Sequence, residues 1–472
     1  MIWARLFIYY LLISVTTGKV CAQQSVQYEV EYKTGQSTID VTLVFSKMEA
    51  NKTRLVIPRS GPGTYDLVNY LAFVDAVKGY TADGNEIAGK VGEGSFFEFG
   101  GEAPIKRISY VVDLHQMESQ LLSASMSSRV RDNYVGLLGY SVFGFVEGLE
   151  QLPITLFMKA PEGWPVFSTL RPTVNRKLTS DTYQAENFAG LADAQYYFGR
   201  SADVIRIDEA PIPFFVVVYG ETPFDAMEIG RRGMIALKGL QDYFGYIPMP
   251  HYTMCYEFLI PISPRHDYGF NMEHMNSMTS TGDTTSAINE YDPHPRLGTI
   301  VHHIGHSWIP LRSYGAGYRP FQWQTAPMIE TIWLNEGFTW YISMYHVLGL
   351  KAIMDRFRNT VNDAPEFIKE KTLRELSQLG STQYGLDFRI GRNLFSRGAL
   401  LAHDLDMEIQ RQTRGKKSFK DAALGLLKWT EANNRAFKYE EIEPIMSKAT
   451  GVNLSIIWMK WQLPIKQGIS VK

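Results

Sequence analysis

Apolar and polar positions alternate in Val26-Gln27-Tyr28-Glu29-Val30-Glu31-Tyr32, in Ile39-Asp40-Val41-Thr42-Leu43 and, less regularly, in Ile108-Ser109-Tyr110-Val111-Val112. A period of two sends successive side chains to opposite faces, so each run predicts a half-buried strand. Asp83-Gly84-Asn85 and Pro161-Glu162-Gly163 punctuate such runs as turns. Residues 23–207 therefore read as a β-rich, sandwich-like N-terminal domain. The pattern then changes. A strand at Phe214–Tyr219 precedes apolar residues at helical spacing from Ala226 to Phe244, and another strand is expected at Tyr252–Leu259. From Thr299 almost everything reads as helix, including Glu336–Leu348, Leu394–Gln412, Phe419–Ala432 and Tyr439–Ala449. Strands followed by a block of helices predict an α+β chain, with a second domain over 208–472 that is strand-rich to about 280 and helical over 285–472. Neither a fixed-period repeat nor a Gly/Ser-rich linker interrupts the sequence.

The first residues alter this picture. Arg5, the apolar stretch from Leu6 to Val15 and Val20-Cys21-Ala22 fit a signal peptide, residues 1–22, cut after Ala22. About 10 apolar residues fall short of the ~20 a membrane span needs, so no stable span is expected once the signal is gone. Cys21 lacks the small residue that normally precedes a lipid-modified cysteine. The protein is expected to be exported, to the periplasm or beyond the cell. Removing the segment takes Arg5 and Lys19 from the 47 basic residues, leaving 45 against 49 acidic ones and a net charge of −4. No basic surface for nucleic acid is expected. Cys255 would be the one remaining cysteine, so no intrachain disulfide can form.

Of 10 histidines, three fall within Val301-His302-His303-Ile304-Gly305-His306-Ser307-Trp308. His302 and His306 stand at i and i+4, so a helix projects both from one face toward a single metal ion. Alone, that spacing is more often a pair of packed or solvated histidines. Downstream, Trp333-Leu334-Asn335-Glu336-Gly337-Phe338-Thr339 sets a carboxylate amid aromatic packing at the expected start of a helix. Two histidines and one glutamate make a three-ligand site with an open position.

These segments resemble the glycyl aminopeptidase-like gluzincins, zinc metallopeptidases of thermolysin-like fold. Thr299 to Pro310 resembles their H-E-x-x-H helix, and W-L-N-E-G-F-T their W-x-x-E-G-F-T motif. Arg54-Leu55-Val56-Ile57-Pro58 with Gly61-Pro62-Gly63-Thr64-Tyr65 is similar to the family's β-domain signature. Asn271-Met272-Glu273-His274 resembles its substrate strand, and Phe395-Ser396-Arg397-Gly398-Ala399-Leu400 its Y-x-x-G-A helix. The resemblance implies Zn²⁺ on His302, His306 and Glu336. It also implies peptides or protein N-termini as partners, contacted by Asn271, Met272 and Glu273, with Glu273 near the free amine. The stretch of similarity runs to Leu454 and the sequence ends at Lys472, so the PDZ module common in the family is not expected.

Three positions depart from the family pattern. His303 stands where the general-base glutamate belongs, and an imidazole lacks the carboxylate's shape and charge. Phe395 stands where a tyrosine hydroxyl faces the oxyanion; losing one such donor costs ~3 kcal/mol. Tyr384 or Tyr341 would compensate only if folding brought it near. Phe270-Asn271 replaces paired glycines, adding bulk beside the substrate backbone. The expected protein is a catalytically degenerate aminopeptidase homologue. An active zinc aminopeptidase for small N-terminal residues, with His303 or another residue as base, and a non-catalytic peptide-binding protein are the alternatives.

Overall fold

The computed structural model describes residues 24–170, 181–284 and 296–465. The expected signal segment, with Cys21 and the cut after Ala22, and the start of the helical block at 285–295 lie outside these residues.

The alternating runs form strands β1 (Val26–Glu31), β2 (Thr38–Glu49) and β3 (Pro104–Asp113) of a ten-stranded sheet. β2 lies between β1 and β3, antiparallel to both, so Val30, Val41 and Tyr110 face one side together. A four-stranded sheet ending with β4 (Gln195–Phe198) packs over that side. Val135, Leu137, Tyr196 and Phe198 share one core with Val30, Val41 and Ile108, so the inward faces of two sheets bury each other.

The next strand, β5 (Ala202–Arg206), already pairs with β6 (Phe214–Gly220) of a third sheet. The change of sheet thus falls at Gly199 to Ser201, a few residues before the expected join at 207. After helix α1 (Ala226–Phe244) come β7 (Tyr252–Leu259), β8 (Asn271–His274) and β9 (Ser277–Asp283). The order is β5-β6-β7-β9-β8, with β6, β7 and β9 parallel and β8 antiparallel at the edge. α1 is capped by the Asp225 side chain and stopped by Gly245 at φ 87, the left-handed backbone glycine adopts at least cost.

Helices α2 (Leu297–Gly305), α3 (Ile332–Trp340), α4 (Phe388–Thr413), α5 (Phe419–Asn433), α6 (Ile442–Thr450) and α7 (Ser455–Trp461) complete the second half, with further helices between α3 and α4. Its core joins Val216 and Met254 of the sheet to Ile300, Phe338 and Leu401 of the helices. The helical expectation needs two corrections. Ser307 to Thr331 holds no helix, because Pro310, Pro320 and Pro327, with Gly315 and Gly317, deny that stretch continuous helical bonds. Glu336 lies in the middle of α3 instead of at its start: Ile332, Trp333 and Leu334 are all buried, so the helix is enclosed from its first turn. Beyond Trp340 the backbone widens into a π-helix over Tyr341–Val347. None of the described helices is long and apolar enough to cross a membrane.

Each half lends a residue to the other's core. Tyr65 packs into the helical core, and Met272 of β8 into the β-sandwich core.

Candidate metal centre and cleft

α2 runs through His302 and His303, and His306 follows at its C-cap with helical φ and ψ, so the i, i+4 geometry holds. α3 brings Glu336 across from it. Close packing permits this approach. Gly305 faces Thr339, and Gly337 faces Gly398 of α4 so tightly that a Cβ on Gly337 would lie 2.4 Å from the Gly398 Cα.

The result is a cluster of three acceptors. His302 Nε2 lies 3.2 Å from Glu336 Oε2, His306 Nε2 3.6 Å from the same oxygen, and the two imidazole nitrogens are 3.0 Å apart. His306 Nδ1 donates to the Ile309 carbonyl at 2.9 Å, which leaves Nε2 as its lone-pair atom. Trp340 stacks on the His302 ring, centroids 4.2 Å apart, and holds its plane. Lone pairs turned toward one another in a buried site repel unless a positive charge sits among them. In the metal-free chain a proton on His306 Nε2 meets that need. Burial would lower His306, but the Glu273 and Glu336 carboxylates outweigh it and bring the imidazole up to about 9. Burial and the adjoining His306 push His302 down to about 4. Burial would raise Glu336, yet His306 and His302 hold its carboxyl well below the usual range. His302, His306 and Glu336 are thus a donor set fit for a divalent cation.

The predicted residues divide into those that meet at this cluster and those that do not. His303 turns toward the same space: Glu273, His303 and His306 offer ligand atoms within 4.8 Å of one another. Burial first, then His302 and His306, keep its imidazole neutral. A cleft of about 200 Å³ opens here, walled by Gly63, Tyr65, Phe270, Asn271, Glu273, Trp340, Tyr384 and Phe395 among others. Glu273 is no surface carboxylate; it is only 4% exposed, its Oε1 has no partner, and burial raises its pKa. Asn271 lines the cleft and accepts from Ser280 Oγ. Met272 must be corrected. Successive residues of β8 face opposite ways, so between Asn271 and Glu273 its side chain enters the sandwich core, with Sδ 3.8 Å from the Tyr140 hydroxyl. Phe395 lies 6.5 Å from His302 and 5.9 Å from Tyr384, ring to ring. Tyr341 is turned away and donates to Asp406 at 2.7 Å, so of the two tyrosines considered only Tyr384 lines the cleft.

Residues 27–200 match the family profile of the Peptidase M61 N-terminal domain. An aminopeptidase N family protein from Idiomarina loihiensis superposes with a TM-score of 0.78 at 18% identity, over 94% of this chain and 77% of that one. This chain shares the fold of that aminopeptidase N family protein. An M1 zinc metallopeptidase from Deinococcus radiodurans shares the fold at 14% identity, over 95% of this chain and 96% of its own, with a TM-score of 0.56. Yeast LTA4 hydrolase, solved in complex with bestatin, also has a TM-score of 0.56, at 14% identity, over 95% of this chain and 68% of its own. Comparison with curated proteins finds none that matches. Within that fold, Tyr65 and Trp340 line the site although neither was picked out as a site residue. Tyr65 stands at the end of the Gly61-to-Tyr65 signature, and Trp340 four positions after Glu336, one helical turn away.

Proposed function

We propose that this protein is a zinc-binding homologue of the glycyl aminopeptidase-like metallopeptidases that binds peptide N-termini and hydrolyses them very poorly. One observation carries the reading: a ligand triad of two imidazole nitrogens and a carboxylate oxygen is intact, while the residue beside it is His303. Two nitrogens and one oxygen in a buried site suit Zn²⁺ and leave a coordination position open. When bound, zinc would act as a Lewis acid on a ligand oxygen. The chain's own residues would do the rest. Glu273, with an unpartnered buried oxygen, would accept the peptide ammonium, and Asn271 and Phe270 would flank the first residues. His303 offers a nitrogen where related enzymes place a carboxylate, and Phe395 offers a ring edge with no donor. A missing general base typically costs 10²–10⁴-fold in rate, roughly, and a missing oxyanion donor about 10²–10³-fold. Export from the cell belongs to the same reading, motivated by residues 1–22.

An active aminopeptidase with His303 as base is the second reading, favoured by the closeness of His303 to His306 and Glu273. Zinc content and hydrolysis of short peptides beginning with Gly or Ala separate the two. Stoichiometric zinc, near-background turnover and recovery in His303→Glu with Phe395→Tyr are expected. Robust wild-type turnover abolished by chelation would overturn the degenerate reading.

A further inference from the structure

With Phe395 in place of a tyrosine, the helical wall of the cleft lacks a hydroxyl at that position, but the β-rich half supplies one. We propose that Tyr65 completes the ligand site by donating its hydroxyl hydrogen to a ligand oxygen held at the His302, His306 and Glu336 cluster.

The loop that carries Tyr65 is built to reach the cleft. Thr64 Oγ1 closes a turn onto the Gly61 carbonyl at 2.8 Å and pairs with Ser60 Oγ at 2.9 Å. Gly63, at φ 81, passes so close to Glu273 that a Cβ there would lie 3.0 Å from its Oε1. Tyr65 follows at φ 47, a backbone conformation that costs a non-glycine residue free energy and persists only where the surroundings impose it. Its ring leaves the β-rich half, enters the helical core and packs on Tyr384 with centroids 5.3 Å apart.

The hydrogen-bond inventory of the phenol then decides its role. Asn335, next in sequence to Glu336, donates through Nδ2 to the Tyr65 oxygen at 3.4 Å. That contact uses an acceptor position and fixes where the oxygen lies. The single O–H hydrogen has no acceptor among the described residues, and the side chain lines the cleft. A hydroxyl is one donor as well as an acceptor, and a buried donor without a partner is costly until something in the cleft accepts from it. Burial, then the Glu336 and Glu273 carboxylates, raise the phenol's pKa well above its ordinary value, so it keeps the hydrogen. The ligand class that fits has an oxygen acceptor beside the metal-binding atom: a peptide carbonyl, a carboxylate or a hydroxamate.

This inference rests on the zinc reading, so the experiment separates the two. Zinc content is measured first in the full chain, and wild type that takes up no zinc would overturn both. Affinities of the zinc-loaded protein are then measured by calorimetry for acetohydroxamate, which brings oxygens to the metal, and for imidazole, which brings only nitrogen. Tyr65→Phe is expected to weaken acetohydroxamate about tenfold and to leave imidazole within about twofold, the loss of one hydrogen bond. Adding Phe395→Tyr to that variant is expected to recover part of the loss. Zinc uptake with unchanged acetohydroxamate affinity in Tyr65→Phe would overturn the proposal alone. So would equal weakening of both probes, which marks a structural role, or a loss seen only in Tyr384→Phe.

Discussion

Replacing Gly398 by alanine should damage the metal centre from a distance. Gly398 lies where α4 crosses α3, and an added Cβ would stand 2.0 Å from the Trp333 carbonyl oxygen and 3.0 Å from the Gly337 Cα. Carbon settles against a carbonyl oxygen at roughly 3.3–3.6 Å, so the helices must separate by more than ~1 Å. Both obstructing atoms belong to backbone, and no rotamer change relieves the clash. Overpacking of this kind costs about 1–3 kcal/mol. The second effect follows from where Glu336 sits, directly before Gly337 on α3. The triad's 3.2 and 3.6 Å spacings would change, whereas metal–ligand distances tolerate only about 0.2 Å. Zinc affinity should fall at least roughly tenfold, the range known for disturbed supporting residues. Unfolding of the metal-free variant and competition against a chromophoric chelator measure the two effects separately. An unfolding midpoint and zinc affinity equal to wild type would refute the packing argument. Lost stability with full zinc affinity would show that α2 follows α3, refuting only its second half.

Arg129→Met should destabilise the chain by about 3–5 kcal/mol in urea unfolding, because it strips the cationic partner from the partly buried Glu257 and leaves it only the Tyr134 hydroxyl; a loss below about 1 kcal/mol would contradict this. Asp406 accepts from Tyr341, His346, Gln410 and the Phe419 amide, bonds that outweigh burial and bring its pKa down to about 2. Its folded pKa is depressed, so its contribution is fully present above about pH 4 and lost as pH falls through 2; Asp406→Asn should cost about 1–2 kcal/mol at neutral pH and progressively less toward and below pH 2 in acid-unfolding curves. Removing zinc with a chelator should expose new proteolytic cuts between α2 and α3 before any appear in β1 to β3, and simultaneous loss of both halves would count against a metal confined to the helical side.

Local pattern carried the secondary structure where burial is one-sided. The expected spans of α1 and β7 match the structure residue for residue, since helical and extended periodicities there meet clear stops, Gly245 after α1 and the Ile260-Pro261 step after β7. The triad was legible for a related reason: its spacing and the aromatic residues around Glu336 are local. What stayed hidden depended on long-range contact. The start of α3 was missed because a helix buried all round carries no amphipathic signal. Met272 was assigned to the cleft as part of a motif, although strand alternation between Asn271 and Glu273 sends it the other way. Tyr65 is 271 positions before Glu336 in the chain, and long-range packing, with Gly63 close against Glu273, brings its ring to the cleft.

The short passage from β4 to β5 has a mechanical consequence. Gly199 to Ser201 make a welded corner, and bonds across it brace the joint: Gln195 to Ser277, Asp193 to His274 and the Met275 amide, Tyr134 to Glu257, and Arg131 to Glu221. Two jaws fixed in this way do not close on what they hold. On the proposed reading, such bracing would favour selection at the entrance of the cleft over a later clamping motion. Under the proposed function, a frame braced at this corner would hold a peptide N-terminus whether or not hydrolysis follows.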